Sequence, residues 1–478
     1  MRTIIINACC YRNAATIVAA GLLLVGEAAA GVPHEYTISV DASFERLHVE
    51  AHFTNRIERI SARSRDARHF LRDLRECDSG DRLTAGTRRL RLPRGGVNCI
   101  TYAVDLDRAA RAERLNRRLD PANIVVSPAL WMWRPELGGE EEIRVRFRLP
   151  DNVGVSVPWQ KLPVADNTYL LKASPESGDA IAVFGEFEST IVSVPGAAIE
   201  VTLLRSQNDI DFDEIAAWAR AVAGNVVLAY GRFPNPEARI VVIPVGSHRW
   251  GGDSPVPFGR VVRDGGETIE LLINDRRPVA DYYDEWEPTH ELAHLMLPYL
   301  HRSQRWISEG FATYYQNVLL ARAGRYTEQD AWRRLVAGFG RGRESVPALS
   351  PNDAAGGSER STRMKIYWSG AALALIADVE LRRKSNDRES LDSLLGRLQH
   401  CCLPSARTWS GPELFQKLDS LLDEPLFMKL YARYADTPGF PAVEPLLMHL
   451  GVADEDGNVE LRSNAELAHI RRSITASD

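Results

Sequence analysis

The chain has 478 residues, which is too long for one simple hydrophobic core, so we expect two to four domains. Hydrophobic residues make up 45% of it and charged residues 26%, a composition that excludes a largely disordered or fibrous protein. The net charge of -6 argues against nucleic acid as a partner, because the basic residues are interspersed with acidic ones and form no continuous stripe.

Residues 1–30 have the features of an export signal peptide. Positive charge precedes a short apolar run, "AATIVAAGLLLVG", and Ala28 to Ala30 form a small-residue cleavage site. The run is too short to span a bilayer comfortably, and no later segment approaches the required length. We therefore expect a mature chain that begins at Gly31, lacks a transmembrane helix and is periplasmic or secreted. An uncleaved membrane anchor is the alternative.

Residues 31–206 show the period of two that is typical of strands. Segments such as "YTISVD", "LHVEAHF", "EIRVRFRL" and "AAIEVTLL" alternate apolar and polar residues, with Gly, Pro and Asp between them. The pattern predicts an N-terminal β-sandwich-like domain with half-buried sheets. His48 and His52 share one face of a strand here, most often the outer one, so we do not expect them to be metal ligands.

Four cysteines remain after removal of the signal. Cys99 lies in a strand-like segment and Cys77 in the polar stretch before it, so a Cys77–Cys99 disulfide is expected in an oxidising compartment. Cys401 and Cys402 are adjacent, and the sequence leaves open whether they are free or form disulfides elsewhere.

The period changes after residue 206. A helix capped by Asp211 and ended by Gly231 is followed by strand-like segments, "ARIVVIPV", "RVV" and "TIELLIN". Two further helices follow, the first ended by Pro298 and the second running from about Ser308 to Gly324. Residues 207–345 are therefore predicted to form an α+β domain, and residues 346–478, a series of amphipathic segments, a C-terminal helical domain.

The segment "THELAHLMLPYLHRSQRWISEGFATYY" contains a candidate metal site. On a helix, His290 and His294 lie on one face with their β-carbons about 5–6 Å apart, so both rings can point at one ion. Glu291 lies beside that face, where its carboxylate can hydrogen-bond a water molecule. Glu309 is the candidate third ligand, in the first turn of a helix that Ser308 is predicted to cap.

Two imidazoles and one carboxylate form a typical ligand set for catalytic zinc, which keeps a fourth position open. We therefore expect one zinc ion per chain, with Glu291 as the general base of a hydrolase. The alternative is an ordinary amphipathic helix that happens to contain histidines, with Glu309 as an acid at the start of the next helix.

The segments "HELAH", "WISEGFATYY" and "YWSGAALALIADVELRR" resemble those of the gluzincin metallopeptidases, above all the glycyl aminopeptidase family and more distantly the aminopeptidase N family. The resemblance extends to "PLLMHLGV" and implies a thermolysin-like catalytic domain between a β domain and a helical region. It also implies zinc ligands at His290, His294 and Glu309, a general base at Glu291 and an oxyanion-stabilising tyrosine at Tyr367.

The sequence departs from the aminopeptidase N pattern where a Gly-x-Met-Glu-Asn stretch would bind the substrate's α-amine. It reads "PFGRVVRDGGETIELLIN" there, without a glutamate at the anchoring place. Gly259, Arg260 and Val261 are still candidates to bind an extended peptide by strand addition. Asp253 and Asp264 are possible replacements for the glutamate, although surface turn acids are the simpler interpretation.

A second departure follows the third predicted ligand. Thermolysin-like sites often place an aspartate four residues later to orient a histidine, and Thr313 stands there instead. The sequence nevertheless predicts a zinc-dependent metallopeptidase with a peptide or protein substrate, and an aminopeptidase as its narrower form. A non-catalytic peptide-binding or scaffold protein and a zinc hydrolase of non-peptide substrates remain alternatives. The oligomeric state is not defined.

Overall fold

The computed structural model describes residues 33–112, 123–138, 141–163, 165–175, 180–206, 208–246, 253–357, 360–455 and 457–476. The predicted signal peptide, residues 1–30, lies outside the described residues. In the described part of the chain, no helix has both the length and the apolar character needed to cross a membrane.

Strands dominate the first part of the chain. Its elements are β1 (His34–Val40), β2 (Arg46–Ile57), α1 (Ala67–Phe70), β3 (Leu71–Glu76), β4 (Thr84–Ala85), β5 (Leu90–Arg91), β6 (Val97–Asp105), α2 (Leu106–Ala112), β7 (Asn123–Val126), β8 (Glu142–Arg148), β9 (Gly154–Ser156), β10 (Gln160–Lys161), β11 (Thr168–Lys172) and β12 (Ala182–Gly185). They form a seven-stranded sheet, β10-β11-β8-β1-β2-β6-β3, and a three-stranded sheet, β7-β12-β9.

These two sheets enclose one hydrophobic core. Strand β1 alternates buried and partly exposed residues along its length, as the period of two predicts. Phe147 on β8 and Phe184 on β12 meet edge to face with ring centroids 5.9 Å apart, which joins the large sheet to the small one.

The central part of the chain mixes strands with helices. Its elements are β13 (Glu188–Val194), β14 (Ala197–Leu203), α3 (Phe212–Val227), β15 (Glu237–Pro244), β16 (Phe258–Arg263), β17 (Glu267–Ile273), α4 (Trp286–Ala293), α5 (Arg305–Arg322) and α6 (Glu328–Glu344). The strands form one sheet in the order β13-β14-β15-β17-β16, so β16 lies at its edge.

The segment "AAIEVTLL" was predicted to belong to the N-terminal β domain, but the structure contradicts this for its strand, β14. It pairs in parallel with β15 and is therefore part of the central sheet. A parallel pair needs a crossover connection, and α3, capped by the Asp211 side chain, provides it. Alternation identifies a strand but not its partner, which explains the error. Apart from the placement of this strand, the domain limits 31–206, 207–345 and 346–478 remain predictions.

The start of α5 also differs from the prediction. A short 3-10 turn, Arg302–Gln304, leads into a helix that begins at Arg305, so Ser308 is not its cap. The helix thus begins four residues earlier than a Ser308 cap predicts, and Trp306 and Ile307 in its first turn are fully buried. Glu309 therefore lies in the second turn of α5 and not, as predicted, in the first. The helix dipole acts mainly on groups in the first turn, so it does not explain the position of Glu309.

The last part of the chain is mainly helical, as predicted. Its elements are α7 (Pro351–Gly356), α8 (Arg363–Ser385), α9 (Leu391–Cys402), α10 (Gly411–Ser420), α11 (Phe427–Tyr434), α12 (Glu444–Leu450), β18 (Val452–Glu455), β19 (Asn458–Leu461) and α13 (Ala468–Thr475). The β18–β19 hairpin was not expected. One hydrophobic core contains residues from Val192 to Ile474, so these helices pack on the central region.

Helices α5 and α8 cross at a contact between two glycines. A β-carbon on Gly310 would lie 2.1 Å from the Cα atom of Gly370, and one on Gly370 would lie 2.0 Å from the carbonyl oxygen of Trp306. Only hydrogen fits at such distances, so glycine allows the two backbones to touch. The crossing brings Tyr367, one turn before Gly370, close to Glu309.

The structure pairs all four cysteines that it describes. Cys77 and Cys99 form the expected disulfide, with their Cα atoms 5.4 Å apart. Cys401 and Cys402 form a disulfide with each other at the end of α9, so they are neither free nor joined to a distant cysteine.

Candidate active site

The two histidines of the motif lie on α4 and on the 3-10 turn that continues it, His294–Met296. Their rings are perpendicular, with centroids 4.8 Å apart, and both are buried. The end of this segment is fixed by Arg263, which donates one hydrogen bond to the carbonyl of His294 at 3.1 Å and another to that of Leu297 at 3.3 Å. The carbonyls that a helix end leaves unpaired thus have a partner.

Glu309 reaches the same point from α5. Its Oε2 atom lies 3.3 Å from Nε2 of His290 and 3.6 Å from Nε2 of His294. Within the residues described, these three side chains are the group found able to hold a metal ion, with their ligand atoms all within 4.8 Å of one another. Two ligands on one tetrahedral zinc ion are about 3.3 Å apart, so the spacing fits zinc.

Gln316 orients the first histidine. Its Oε1 atom lies 2.7 Å from Nδ1 of His290 inside the protein, which directs Nε2 towards Glu309. The sequence predictions missed this residue, although it lies seven residues, two helical turns, after Glu309 and so on the same face of α5. Thr313 does not take this role, because its buried hydroxyl has no hydrogen-bond partner among the described residues.

Burial and charge shift the pKa values of the candidate ligands in different directions. Burial alone would raise the pKa of Glu309, but the adjacent rings of His294 and His290 hold it well below its usual range. Burial would lower the pKa of His290, but the carboxylates of Glu309 and Glu291 raise it. The carboxylate of Glu309 is therefore ionised, as a metal ligand must be.

Glu291 lies against the edge strand β16. A β-carbon on Gly259 would be only 2.7 Å from Cγ of Glu291, so the glycine leaves just enough room for this side chain. The backbone N–H of Val261 hydrogen-bonds the carboxylate and lowers its pKa, although burial, the larger effect, raises it. Strand β16 thus fixes the position of the predicted general base.

The three residues predicted to bind substrate lie along β16. No strand covers the outer edge of β16 in the described part of the chain. Arg260 forms an ion pair with the buried Glu270, at 2.6 Å, and its charge is therefore balanced within the sheet. Gly259 and Val261 lie beside Glu291, so the predicted strand-addition site and the predicted base share one cleft.

Tyr367 reaches the site from α8. Its ring stacks on that of His290, with centroids 5.6 Å apart and planes inclined by 5°. Burial, followed by the carboxylates of Glu309 and Glu291, holds the pKa of its hydroxyl well above the usual value, so this group stays a hydrogen-bond donor.

Most of these groups, although not the buried His290 and Gln316, line a cleft of about 340 Å³. Its walls are formed by β16, by the motif residues Glu291 and Glu309, by Tyr367, and by Arg302 and Arg305 at the start of α5. The structure therefore brings together the proposed metal ligands, Glu291, Tyr367 and the three β16 residues proposed to bind substrate.

The two aspartates considered as amine anchors lie elsewhere. Asp264 is buried and forms ion pairs with Arg63 at 2.7 Å and Arg134 at 3.9 Å, so it joins the N-terminal sheets to the central one. The interpretation of Asp264 as a surface acid is therefore wrong. Asp253 is exposed beside Arg277, at 3.6 Å.

The chain is similar to known peptidases in part of its sequence and in its fold. The family model for the M61 glycyl aminopeptidases matches residues 298–363, a segment that contains Glu309. No curated protein sequence matches the chain. An aminopeptidase N family protein from Idiomarina loihiensis has a similar structure, with a TM-score of 0.64 and 14% identity over 88% of this chain and 78% of that one.

Two further solved structures are similar. Native yeast LTA4 hydrolase has a TM-score of 0.52 and 11% identity, over 88% of this chain and 70% of that chain. A mutant two-domain M1 zinc metallopeptidase bound to L-tryptophan has a TM-score of 0.51 and 15% identity, over 85% of this chain and 94% of that chain. At such identities the similarity is one of fold.

The chain therefore has a multidomain α+β fold similar to that of the M1 peptidases. The resemblance to the gluzincin metallopeptidases is confirmed, because the glycyl aminopeptidase model matches in sequence and the M1 structures match in fold. Together these findings support a peptidase.

Proposed function

We propose that this protein is a zinc-dependent metallopeptidase that hydrolyses peptide bonds. The observation that carries the proposal is the convergence of His290, His294 and Glu309, the last two of which line a cleft together with Glu291 and Tyr367. These three residues would hold one zinc ion per chain. When bound, zinc supplies a Lewis acid that activates water and polarises the scissile carbonyl.

The protein's own residues divide the remaining tasks. The edge of β16 binds the peptide backbone in an extended form beside Glu291. Glu291 accepts the proton of the attacking water and passes it to the leaving amine. The hydroxyl of Tyr367 donates a hydrogen bond to the oxygen on which negative charge develops, and such a donor typically contributes about 2.7–4 kcal/mol. Gln316 keeps the ring of His290 correctly oriented.

The matching family model supports a narrower proposal, that the enzyme is an aminopeptidase. Aminopeptidases need the free α-amine of the substrate, so this form of the proposal predicts cleavage of peptides with free N-termini and none of acetylated ones. Cleavage of both kinds of peptide at internal bonds would assign an endopeptidase instead. A peptide library with free and acetylated N-termini, followed by mass spectrometry, makes the distinction.

The central experiment replaces the proposed base. Glu291→Gln preserves the shape of the side chain, so we expect about one zinc per chain by elemental analysis and a loss of turnover of about 10²–10⁴-fold. Glu344→Gln, an exposed position at the end of α6, is the matched control and should keep full activity. Normal hydrolysis by Glu291→Gln would remove Glu291 from the role of base. A wild-type protein that binds zinc and peptides without cleaving them would favour the non-catalytic alternative.

We also propose that the chain is divided near the predicted limits into an N-terminal β-sandwich-like domain, a thermolysin-like catalytic domain whose sheet includes β13 and β14, and a C-terminal helical domain, and that the protein is exported. The Cys77–Cys99 disulfide supports export, because such bonds persist in oxidising compartments. Mass measurement of the protein recovered from outside the cytoplasm should give a chain that begins at Gly31. A full-length chain confined to the cytoplasm would contradict export.

A further inference from the structure

Arg305 lies one helical turn before Glu309 on α5. Residues four apart on a helix share a face with β-carbons about 5–6 Å apart, and both side chains line the same cleft. Arg305 and the proposed metal ligand Glu309 thus belong to one wall of the cleft. Arg302 lines the cleft as well and is exposed.

The other two arginines of the cleft are paired within the sheet. Arg260 forms an ion pair with Glu270 at 2.6 Å, and Arg263 forms one with Glu267 at 2.9 Å. Their charges are thus balanced before any ligand binds.

Arg305, in contrast, forms no ion pair with a carboxylate among the described residues. One of its terminal nitrogens donates to the carbonyl of Gly357 at 2.8 Å, while its Nε atom is buried and has no hydrogen-bond partner within the described part of the chain. A buried donor without a partner costs about 1–3 kcal/mol. The acids closest along the cleft, Glu291 and Glu309, are used by the proposed base and metal site.

The start of α5 adds to this positive charge. Gln304, the residue that precedes the helix, does not cap it through its side chain, whose oxygen instead accepts a hydrogen bond from the backbone of Gly411. The first N–H groups of the helix therefore lack a side-chain cap at its N-terminal residue, and the positive end of the helix dipole lies beside Arg302 and Arg305. A carboxylate is the anionic group of peptides, and the arginine fork matches it with two hydrogen bonds.

We propose that Arg305, assisted by Arg302, binds a carboxylate of the substrate, so that the enzyme selects peptides with an acidic side chain or a free C-terminal carboxylate next to the cleaved bond. This inference rests on the proposed peptidase function and names its substrate class. The two sources of the carboxylate present the same chemistry to Arg305.

The test uses matched peptides that differ in one charge. One pair carries Glu or Gln on either side of the cleaved bond, and the other carries a free or an amidated C-terminus. For the zinc-loaded wild type we expect kcat/KM to be at least about tenfold higher for the charged member of one pair, the gain typical of one good charged contact. The pair that shows the difference identifies the source of the carboxylate.

Variants at Arg305 should change that ratio. Arg305→Gln should bring it close to one, and Arg305→Lys, which keeps the charge but loses the planar fork, should leave it in between. Arg302→Gln should lower it less, because Arg302 is exposed. Arg220→Gln, an exposed position on α3 away from the cleft, is the control and should keep the wild-type ratio. Thermal unfolding checks that each variant is folded.

A binding measurement separates this inference from the proposed function. The zinc-loaded Glu291→Gln protein should bind the charged member of the pair about tenfold more tightly by calorimetry, and Arg305→Gln in that background should remove the difference. If the two members of each peptide pair are hydrolysed at equal rates and bound equally well, the proposed carboxylate site is wrong but the proposed peptidase function is retained. Charge-selective binding without any hydrolysis by the wild type would uphold the site and overturn the peptidase.

Discussion

Replacement of Gly259 by alanine should displace the proposed base without touching the metal ligands. The added β-carbon would lie 2.7 Å from Cγ of Glu291 and 3.2 Å from Cδ2 of Leu271. Ordinary carbon contacts begin at 3.4 Å, so Cγ of Glu291 must retreat by about 0.7 Å, the difference between 3.4 and 2.7 Å. The backbone at Gly259 has no positive φ, so alanine itself causes no backbone strain there.

Such a shift is large for a catalytic group. A misplacement of about 1 Å can cost about 10²-fold in rate, and we therefore expect kcat for Gly259→Ala to fall about 10–100-fold. Zinc content should stay near one per chain, because His290, His294 and Glu309 make no contact of this kind with the new methyl group. Steady-state kinetics, elemental analysis and thermal unfolding on the same preparation give the three quantities.

Two further variants control this prediction. Gly224→Ala on α3 adds a β-carbon with nothing within 4 Å and should keep kcat. Addition of Gly259→Ala to Glu291→Gln should cause little further loss, since the displaced group has already been removed. The reasoning fails if Gly259→Ala keeps the wild-type kcat, or if it slows the Glu291→Gln enzyme by the same factor as the wild type.

Three other substitutions test the surroundings of the site. Gln316→Leu should weaken zinc binding about 10–100-fold in a chelator competition, because the ring of His290 loses its orienting partner. Gly370→Ala should lower the free energy of unfolding by about 1–3 kcal/mol in denaturant, because its β-carbon meets the carbonyl of Trp306. Burial, with smaller effects from neighbouring acids, raises the pKa of Glu287 to about 9 in the folded protein. Above pH 4.5 the unfolded chain loses this proton while the folded protein keeps it, so the stability of the fold decreases as the pH rises. Glu287→Gln should therefore stabilise the protein by at most about 3 kcal/mol at pH 7 and have little effect at pH 4.

Each of these substitutions has a matched control. Gln329→Leu on α6 removes a glutamine outside the cleft and should leave zinc affinity unchanged. Gly340→Ala on α6 adds a β-carbon in open space and should not destabilise the protein. Glu344→Gln should show no pH-dependent gain in stability, because Glu344 is exposed. Equal effects in a variant and its control would contradict the local explanation.

The part of the site that the sequence predicts best is the part that depends on local geometry. His290, Glu291 and His294 belong to one helical segment, whose spacing alone places them together. Glu309 was predictable because few residues separate it from them. The predicted start of its helix was nevertheless wrong. Helix α5 begins at Arg305, and its fully buried Trp306 makes tertiary contacts that a local serine signal does not reveal.

Residues that meet only through folding were harder to predict. No local sequence pattern marks Tyr367, and only the resemblance to peptidases identified it. The contact between Gly310 and Gly370 brings α8 close to the candidate metal site. Gln316 carries a usable signal, its spacing of seven from Glu309, but that spacing has meaning only once α5 is known to face α4. The partner of β14 likewise depends on a crossover helix that alternation does not reveal.

The arginines of the cleft also differ in how far the sequence predicts their ion-pair partners. Arg260 and Arg263 find their partners on the neighbouring strand β17, so their spacing in a hairpin already predicts balanced charges. Arg305 lies at a helix start, where no neighbouring strand can supply an acid. The buried Nε atom of Arg305 has no hydrogen-bond partner among the described residues, which costs about 1–3 kcal/mol, and a substrate carboxylate would remove that cost. The proposed carboxylate contact would therefore lie on α5, the helix that also carries the proposed third metal ligand.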